Sequence, residues 1–173
     1  MARTLLHTIG YEGSSIDEFV ATLDRVGINL LIDVRDIPLS RKKGFSKRAL
    51  SERLLHHGIE YLHLKGLGDP KPGRLAARAG RYDEFKRIFD LHLSSDRARL
   101  DLGRALSSTS GRRACLLCFE RDHSRCHRQI VADAMVRQGN FELQHLGVRT
   151  IDSRTREERR RPQDATSIDR RQR

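Results

Sequence analysis

The feature that most restricts this chain is its alternation of short apolar runs with stretches whose apolar residues recur at helical spacing. Asn29 to Val34 (NLLIDV) is one such run, almost unbroken. A run of that kind suits a strand buried on both faces, as in a parallel sheet covered by helices. Strand-like runs separated by helical ones predict crossover connections and an α/β fold.

Thr4 to Ile9 reads as a first strand, and Ser14 or Ser15 as the cap of a helix bearing Ile16, Phe19, Val20 and Leu23 that stops at Gly27. After the second strand, Pro38 blocks simple continuation. A basic loop, Ser40 to Arg48, leads into a helix from Ser46 with Leu50, Leu54 and Leu55, closed by Gly58. Ile59 to Leu64 alternates like a third strand. Gly66 to Gly80 carries two prolines and four glycines, which predicts a loop rather than a helix. Arg81 to about Leu106 is expected to be helical with a break near Ser94 and Ser95. Ala114 to Phe119 is a fourth strand, and Cys126 to Gln138 a helix burying Ile130, Ala134 and Met135. Phe141 to Leu146 is a fifth strand. The expectation is a three-layer α/β domain: a mostly parallel central sheet of about five strands flanked by helices.

A chain of 173 residues has room for one domain with a sizeable core. Apolar residues thin out from Val148 onward, where nine arginines meet five acids for a net +4 of the total +11. The reading is a domain over 1–147 and an Arg-rich, flexible tail over 148–173. No run of eighteen apolar residues predicts a membrane span, and three clustered cysteines without a signal peptide point to the cytoplasm rather than to a secreted disulfide framework.

The positive balance, mostly arginine, favours phosphate-bearing partners, nucleic acid among them. Aromatics are only 5% with no Trp, too few for a surface of stacked bases. Arg41, Lys42, Lys43, Lys47 and Arg48 form the densest basic cluster outside the tail and are the candidate nucleic-acid contacts.

In open parallel sheets, ligands bind beyond the carboxyl ends of the strands. That rule gathers Tyr11 and Glu12 from the first strand, Asp33, Arg35 and Asp36 from the second, and Cys118 and Glu120 from the fourth. Cys126, His127 and Arg128 open the following helix, where free N–H groups favour an anion and lower a thiol's pKa. Each has a plainer reading. Cys115 sits mid-strand and belongs to the core; Asp33 can brace a loop; Arg35 can be an ion-pair partner; His127 and Arg128 can complement acids nearby. Cys118, His123, Cys126 and His127 are all chemically able to bind zinc. Their spacing matches no zinc pattern, however, and Cys115 and Cys118 point to opposite faces of their strand, so no metal ligand and no cofactor is assigned.

The segments TIGYEG (Thr8 to Gly13), DVRDIPLSRKKGFSK (Asp33 to Lys47), YLHLKGLG (Tyr61 to Gly68) and LLCFERDHSRCHR (Leu116 to Arg128) resemble, in order, the domain of unknown function 488 family. The resemblance covers about Thr4 to Gly147. It implies an enzyme-like polar site, with the family's recurring residues matched by Tyr11, Asp33, Arg35, Ser40, Cys118, Glu120, Cys126, His127 and Arg128. LLIDVRD, with a later strand ending in Cys and an Arg-bearing loop, is also similar to rhodanese-like sulfurtransferases and Cys-dependent phosphatases. In that likeness Cys118 is the nucleophile and Arg125 or Arg128 the anion clamp, although the loop lacks glycine and is longer.

Three functions follow as expectations. In the first, an enzyme of unassigned reaction acts on a phosphate-bearing substrate, a nucleotide or nucleic acid. Asp33, Cys118, Glu120, Cys126 and His127 are its catalytic candidates, and Tyr11, Arg35, Ser40 and Arg128 its substrate contacts. The second is a non-catalytic nucleic-acid-binding module. The third is a thiol enzyme.

Overall fold

The computed structural model describes residues 3–148. The C-terminal tail beyond them, expected to be flexible, lies outside the described residues. Five strands form one wholly parallel sheet: β1 (Thr4–Gly10), β2 (Leu30–Asp33), β3 (Glu60–His63), β4 (Ala114–Cys118) and β5 (Phe141–Leu146), in the order β3-β2-β4-β1-β5. Six α-helices accompany them: α1 (Ile16–Val26), α2 (Lys47–Leu55), α3 (Lys71–Arg78), α4 (Tyr82–Leu93), α5 (Asp96–Ser108) and α6 (His127–Gln138). The expected α/β class with a parallel sheet is what the chain adopts.

The period of two along each strand divides the core in half. Leu30 and Ile32 of β2 and Leu116 of β4 face one way, packing with Phe89, Leu102, Val131 and Met135 from α4, α5 and α6. Leu31, Cys115 and Leu117 face the other way, against Phe19 and Leu23 of α1 and Leu50 and Leu54 of α2. This is the three-layer arrangement. Cys115 is plain core, as expected. Val148, assigned by sequence to the tail, is buried with the second cluster.

Local signals explain the helix ends. Ser15 caps α1, accepting from the Glu18 backbone N–H while the Glu18 carboxylate accepts from the Ser15 N–H, a reciprocal capping box. The break between α4 and α5 falls at Ser94 and Ser95, and Ser95 caps α5.

One expectation fails. The Pro- and Gly-rich stretch from Gly66 to Gly80 contains helix α3. Pro70 and Pro72 flank its first residue, where the backbone N–H has no intrahelical partner to lose, so proline starts this helix instead of breaking it. Gly73 is required by contact: a Cβ there would lie 2.1 Å from Oδ1 of Asp69.

The strand order builds a crevice. β1 and β2 both lead into the layer of α1 and α2, whereas β4, lying between them, leads into α6 on the other face. Loops leaving adjacent strands toward opposite faces open a gap at the carboxyl edge, where ligands bind in such sheets.

Candidate functional site

A cavity of about 630 Å³ opens at that edge. It is lined by Tyr11 from the end of β1, Arg35 and Asp36 after β2, Asp69 after β3, and Cys118, Phe119 and Glu120 from β4. His127 from α6, Ile37, Leu39, Ser40, Arg41 and Lys42 from the loop after β2, and Arg74 and Arg78 from α3 complete it.

Behind its wall, and not itself lining it, lies Asp33, fully buried at the centre of a polar knot. The Arg35 guanidinium donates to both Asp33 oxygens (Nε–Oδ1 2.8 Å, Nη2–Oδ2 2.6 Å), to the Tyr11 hydroxyl (3.0 Å) and to the Phe45 carbonyl (2.9 Å). Tyr61 donates to Asp33 Oδ2 at 2.5 Å. Burial alone would lower the Arg35 pKa, but the Asp33 hydrogen bond and charge outweigh it, so the guanidinium is held charged more firmly than usual. The Tyr61 hydroxyl is pushed up by burial and then by the Asp33 carboxylate. Tyr11 stacks on Phe45, fixing the aromatic wall.

Beside this knot, four side chains converge. Cys118 ends β4, Glu120 follows two residues later, Cys126 is the N-cap of α6 and His127 its first residue. One donor atom from each lies within 4.8 Å of all the others, and only Glu120 is not fully buried. Glu120 Oε2 is 2.8 Å from Cys118 Sγ and 3.1 Å from Cys126 Sγ. His127 Nδ1 is 3.6 Å from Cys118 Sγ and 3.9 Å from Cys126 Sγ. Its Nε2 meets the Val34 carbonyl at 2.8 Å. A carbonyl only accepts, so Nε2 carries a proton, and Nδ1 is the nitrogen nearer the sulfurs.

The electrostatics follow from that packing. Burial pushes the Cys118 thiol up, but the hydrogen bond from Cys126 and the nearby imidazolium outweigh it, leaving it at about 7. Burial would lower His127, yet Cys118 raises it to about 9. Burial and the Cys118 neighbour push the Cys126 thiol well up. Burial raises Glu120, while hydrogen bonds from the two thiols hold it below the usual carboxylate range.

The rest of the expected site divides. Arg128, only 1% exposed, donates to the backbone carbonyls of Glu120 and Arg121 and to Thr8 Oγ1, so it pins the loop and does not line the cavity. Gly10 makes room for this: a Cβ there would be 1.8 Å from the Glu120 carbonyl oxygen. Arg125 stands over Tyr82, 3.7 Å from Asp122, and is likewise absent from the lining. Ser40 lines the cavity and its Oγ accepts from the Lys42 N–H. Glu12 is exposed and accepts from the Arg121 N–H. Of the basic cluster, Arg41 and Lys42 reach the cavity; Lys43, Lys47 and Arg48 do not, and Arg48 pairs with Glu52. His123 is not in the cluster with the two cysteines: it stacks on His145, ring centroids 3.5 Å apart, and Glu120 takes the place that the sequence offered to it.

Asp69 is the residue that sequence reasoning missed. It is 6% exposed, lines the cavity, and its Oδ1 is buried without a hydrogen-bond partner. Burial raises its carboxyl to about 6 against the pull of His127 and Arg74. The signal was present: Asp69 lies just beyond the third strand, on the same carboxyl edge used to select the other candidates.

A parallel sheet covered by helices on both faces, with a polar crevice at its carboxyl edge, defines an α/β protein. The chain belongs to the DUF488 family, described as a domain of unknown function, whose model matches residues 15–135. The match takes in Asp33, Arg35 and the whole Cys118–Arg128 segment, and begins after Tyr11. No curated protein and no solved structure matches the chain significantly. Among the described residues no helix is long and apolar enough to cross a membrane.

Proposed function

We propose that this protein is an enzyme acting on a phosphate-bearing substrate of nucleotide character, free or within a nucleic acid. One observation carries the reading: a single cavity joins a cationic mouth to a floor of proton-carrying and nucleophilic groups. Arg41, Lys42 and Arg78 line the mouth, and none forms an ion pair among the described residues. Arg35 and Arg74 are already committed, to Asp33 and to Asp36. The free cations therefore hold the anion, and the committed ones shape the wall.

The floor supplies the chemistry. Cys118, Glu120 and His127 border the same space as Asp69, whose unpartnered carboxylate is placed to take a proton from a substrate hydroxyl or a water. Phe119, partly exposed at the wall and edge-on to Tyr11, offers an apolar face to a base or sugar. The volume, about 630 Å³, is that of an ordinary small-ligand site.

A turnover screen over nucleoside phosphates and short oligonucleotides tests this. Phosphate-bearing compounds should be consumed, and Asp69→Asn should lower kcat by about 10²-fold or more with KM little changed. Turnover that survives both Asp69→Asn and Cys118→Ser would place the chemistry elsewhere.

The exposed Lys43, Lys47 and Arg48, which follow Arg41 and Lys42 in the chain, favour a second reading: a non-catalytic nucleic-acid-binding module with the tail as partner. Affinity for duplex would then fall steeply with salt. It should drop on neutralising that run.

A further inference from the structure

We propose that Cys118, Glu120, Cys126 and His127 form a binding site for a soft divalent cation, Zn²⁺ by chemistry, on the floor of the cavity. The site needs no substrate and does not rest on the phosphate reading.

Geometry is the first argument. A tetrahedral zinc with ordinary Zn–S and Zn–N lengths separates sulfur from nitrogen by about 3.6 Å. His127 Nδ1 lies 3.6 Å from one sulfur and 3.9 Å from the other. Glu120 Oε2, at 2.8 and 3.1 Å from the sulfurs, sits inside the corresponding spacing. Its carboxylate would swing outward by less than an ångström, into the cavity that it already lines.

The surroundings are the second argument. A metal-bound histidine characteristically donates its other N–H to a carbonyl or carboxylate, which fixes the tautomer and aims the lone pair. His127 does this to Val34 O, at the end of β2. The Arg128 backbone N–H points at Cys126 Sγ, 3.5 Å away, a contact that steadies a coordinated thiolate. Arg128 in turn fixes the loop carrying Glu120 by holding its carbonyl.

Donor type selects the ion. Two thiolates with an imidazole favour zinc over magnesium or calcium, which take oxygen ligands. Cys118, Cys126 and His127 are buried, while Glu120, the least buried of the four, lines the cavity. That is the pattern of a catalytic site, in which three ligands anchor the ion and one position exchanges with water or substrate. The spacing Cys-x-Glu with Cys-His six residues further on hides the set from motif reading, because a helix start and a strand end supply two ligands each.

The test uses the full chain, stripped with a chelator and titrated with Zn²⁺ against a chromophoric competitor, then with Co²⁺. We expect one ion per chain, an intense visible cobalt spectrum of tetrahedral thiolate type, and protection of Cys118 and Cys126 from alkylation in the unmutated protein. Cys115→Ser, whose sulfur lies in the opposite core, should bind as the wild type does. Cys118→Ser/Cys126→Ser should lose at least 100-fold in affinity. Glu120→Gln should lose about tenfold and keep the cobalt thiolate bands. An octahedral cobalt spectrum, less than one ion per two chains, or zinc that leaves both thiols as reactive as before would overturn the site. Because the protection measurement needs no variant, a misfolded mutant cannot mask the result.

Discussion

Two polar clusters lie side by side at the carboxyl edge of the sheet, and they differ in what their atoms have left to give. In the Asp33–Arg35–Tyr61 knot, the charge is paired and the guanidinium's donors are spent on Asp33, Tyr11 and Phe45. In the Cys118–Glu120–Cys126–His127 cluster, acceptors and soft donors converge on one another, and all but Cys126 also line the cavity. A paired guanidinium and carboxylate spend their hydrogen bonds on the fold, whereas the four donors converging within 4.8 Å are the groups to which the proposals above give a ligand. Family membership does not separate the two clusters, since both fall inside the matched stretch.

The largest effect is expected from removing one half of the knot. Asp33→Ala leaves the Arg35 charge buried and should cost about 3–5 kcal/mol in chemical unfolding, enough to threaten folding. Asp33→Asn with Arg35→Met should recover much of it. Next in size is Gly10→Ala, which forces the Glu120 carbonyl away from Arg128. A loss of about 1–3 kcal/mol is expected, together with loss of turnover, because the loop carrying Glu120 must move. Cys118→Ser should be gentler, within about 1 kcal/mol in thermal melts, since the cluster is not what holds the fold. If it destabilises as much as Asp33→Ala, the distinction between brace and working site is wrong.

How much of this was legible beforehand depends on the scale of the signal. The strands and most helices announce themselves through periodicity, because burial on both faces of a sheet leaves a pattern of apolar residues in the chain. Helix α3 does not: its prolines and glycine satisfy a helix start and a close approach to Asp69, constraints that appear only in three dimensions. The rim rule brings Tyr11, Arg35, Asp36, Cys118 and Glu120 to one cavity, whereas Glu12 and Asp33, gathered by the same rule, do not line it. It could not tell that Arg128 turns inward to two carbonyls, since partner choice depends on a loop path. The sequence offered His123 to the cysteines and not Glu120, and the turn after β4 puts Glu120 there instead.

The smallest effect concerns Asp69, whose carboxyl stands at about 6 against an ordinary 3.8. A raised carboxyl favours the folded state only while protonated. Its contribution is therefore fully present below pH 3.8 and lost as the pH climbs through 6. Asp69→Asn should thus stabilise the protein at pH 7.5, by on the order of 1 kcal/mol, and do nothing at pH 3.5. Melting curves at the two pH values read this directly.

The claim on which the functional account turns is that anions enter through the cavity mouth. Its most direct measurement is the dissociation constant of pyrophosphate or a short oligonucleotide at fixed salt, in wild type and two triple variants. The account predicts that Arg41→Ala/Lys42→Ala/Arg78→Ala weakens binding at least tenfold. It predicts that Lys43→Ala/Lys47→Ala/Arg48→Ala, outside the cavity, stays within about twofold for pyrophosphate. Equal losses in both variants, or a loss confined to the second, would contradict it.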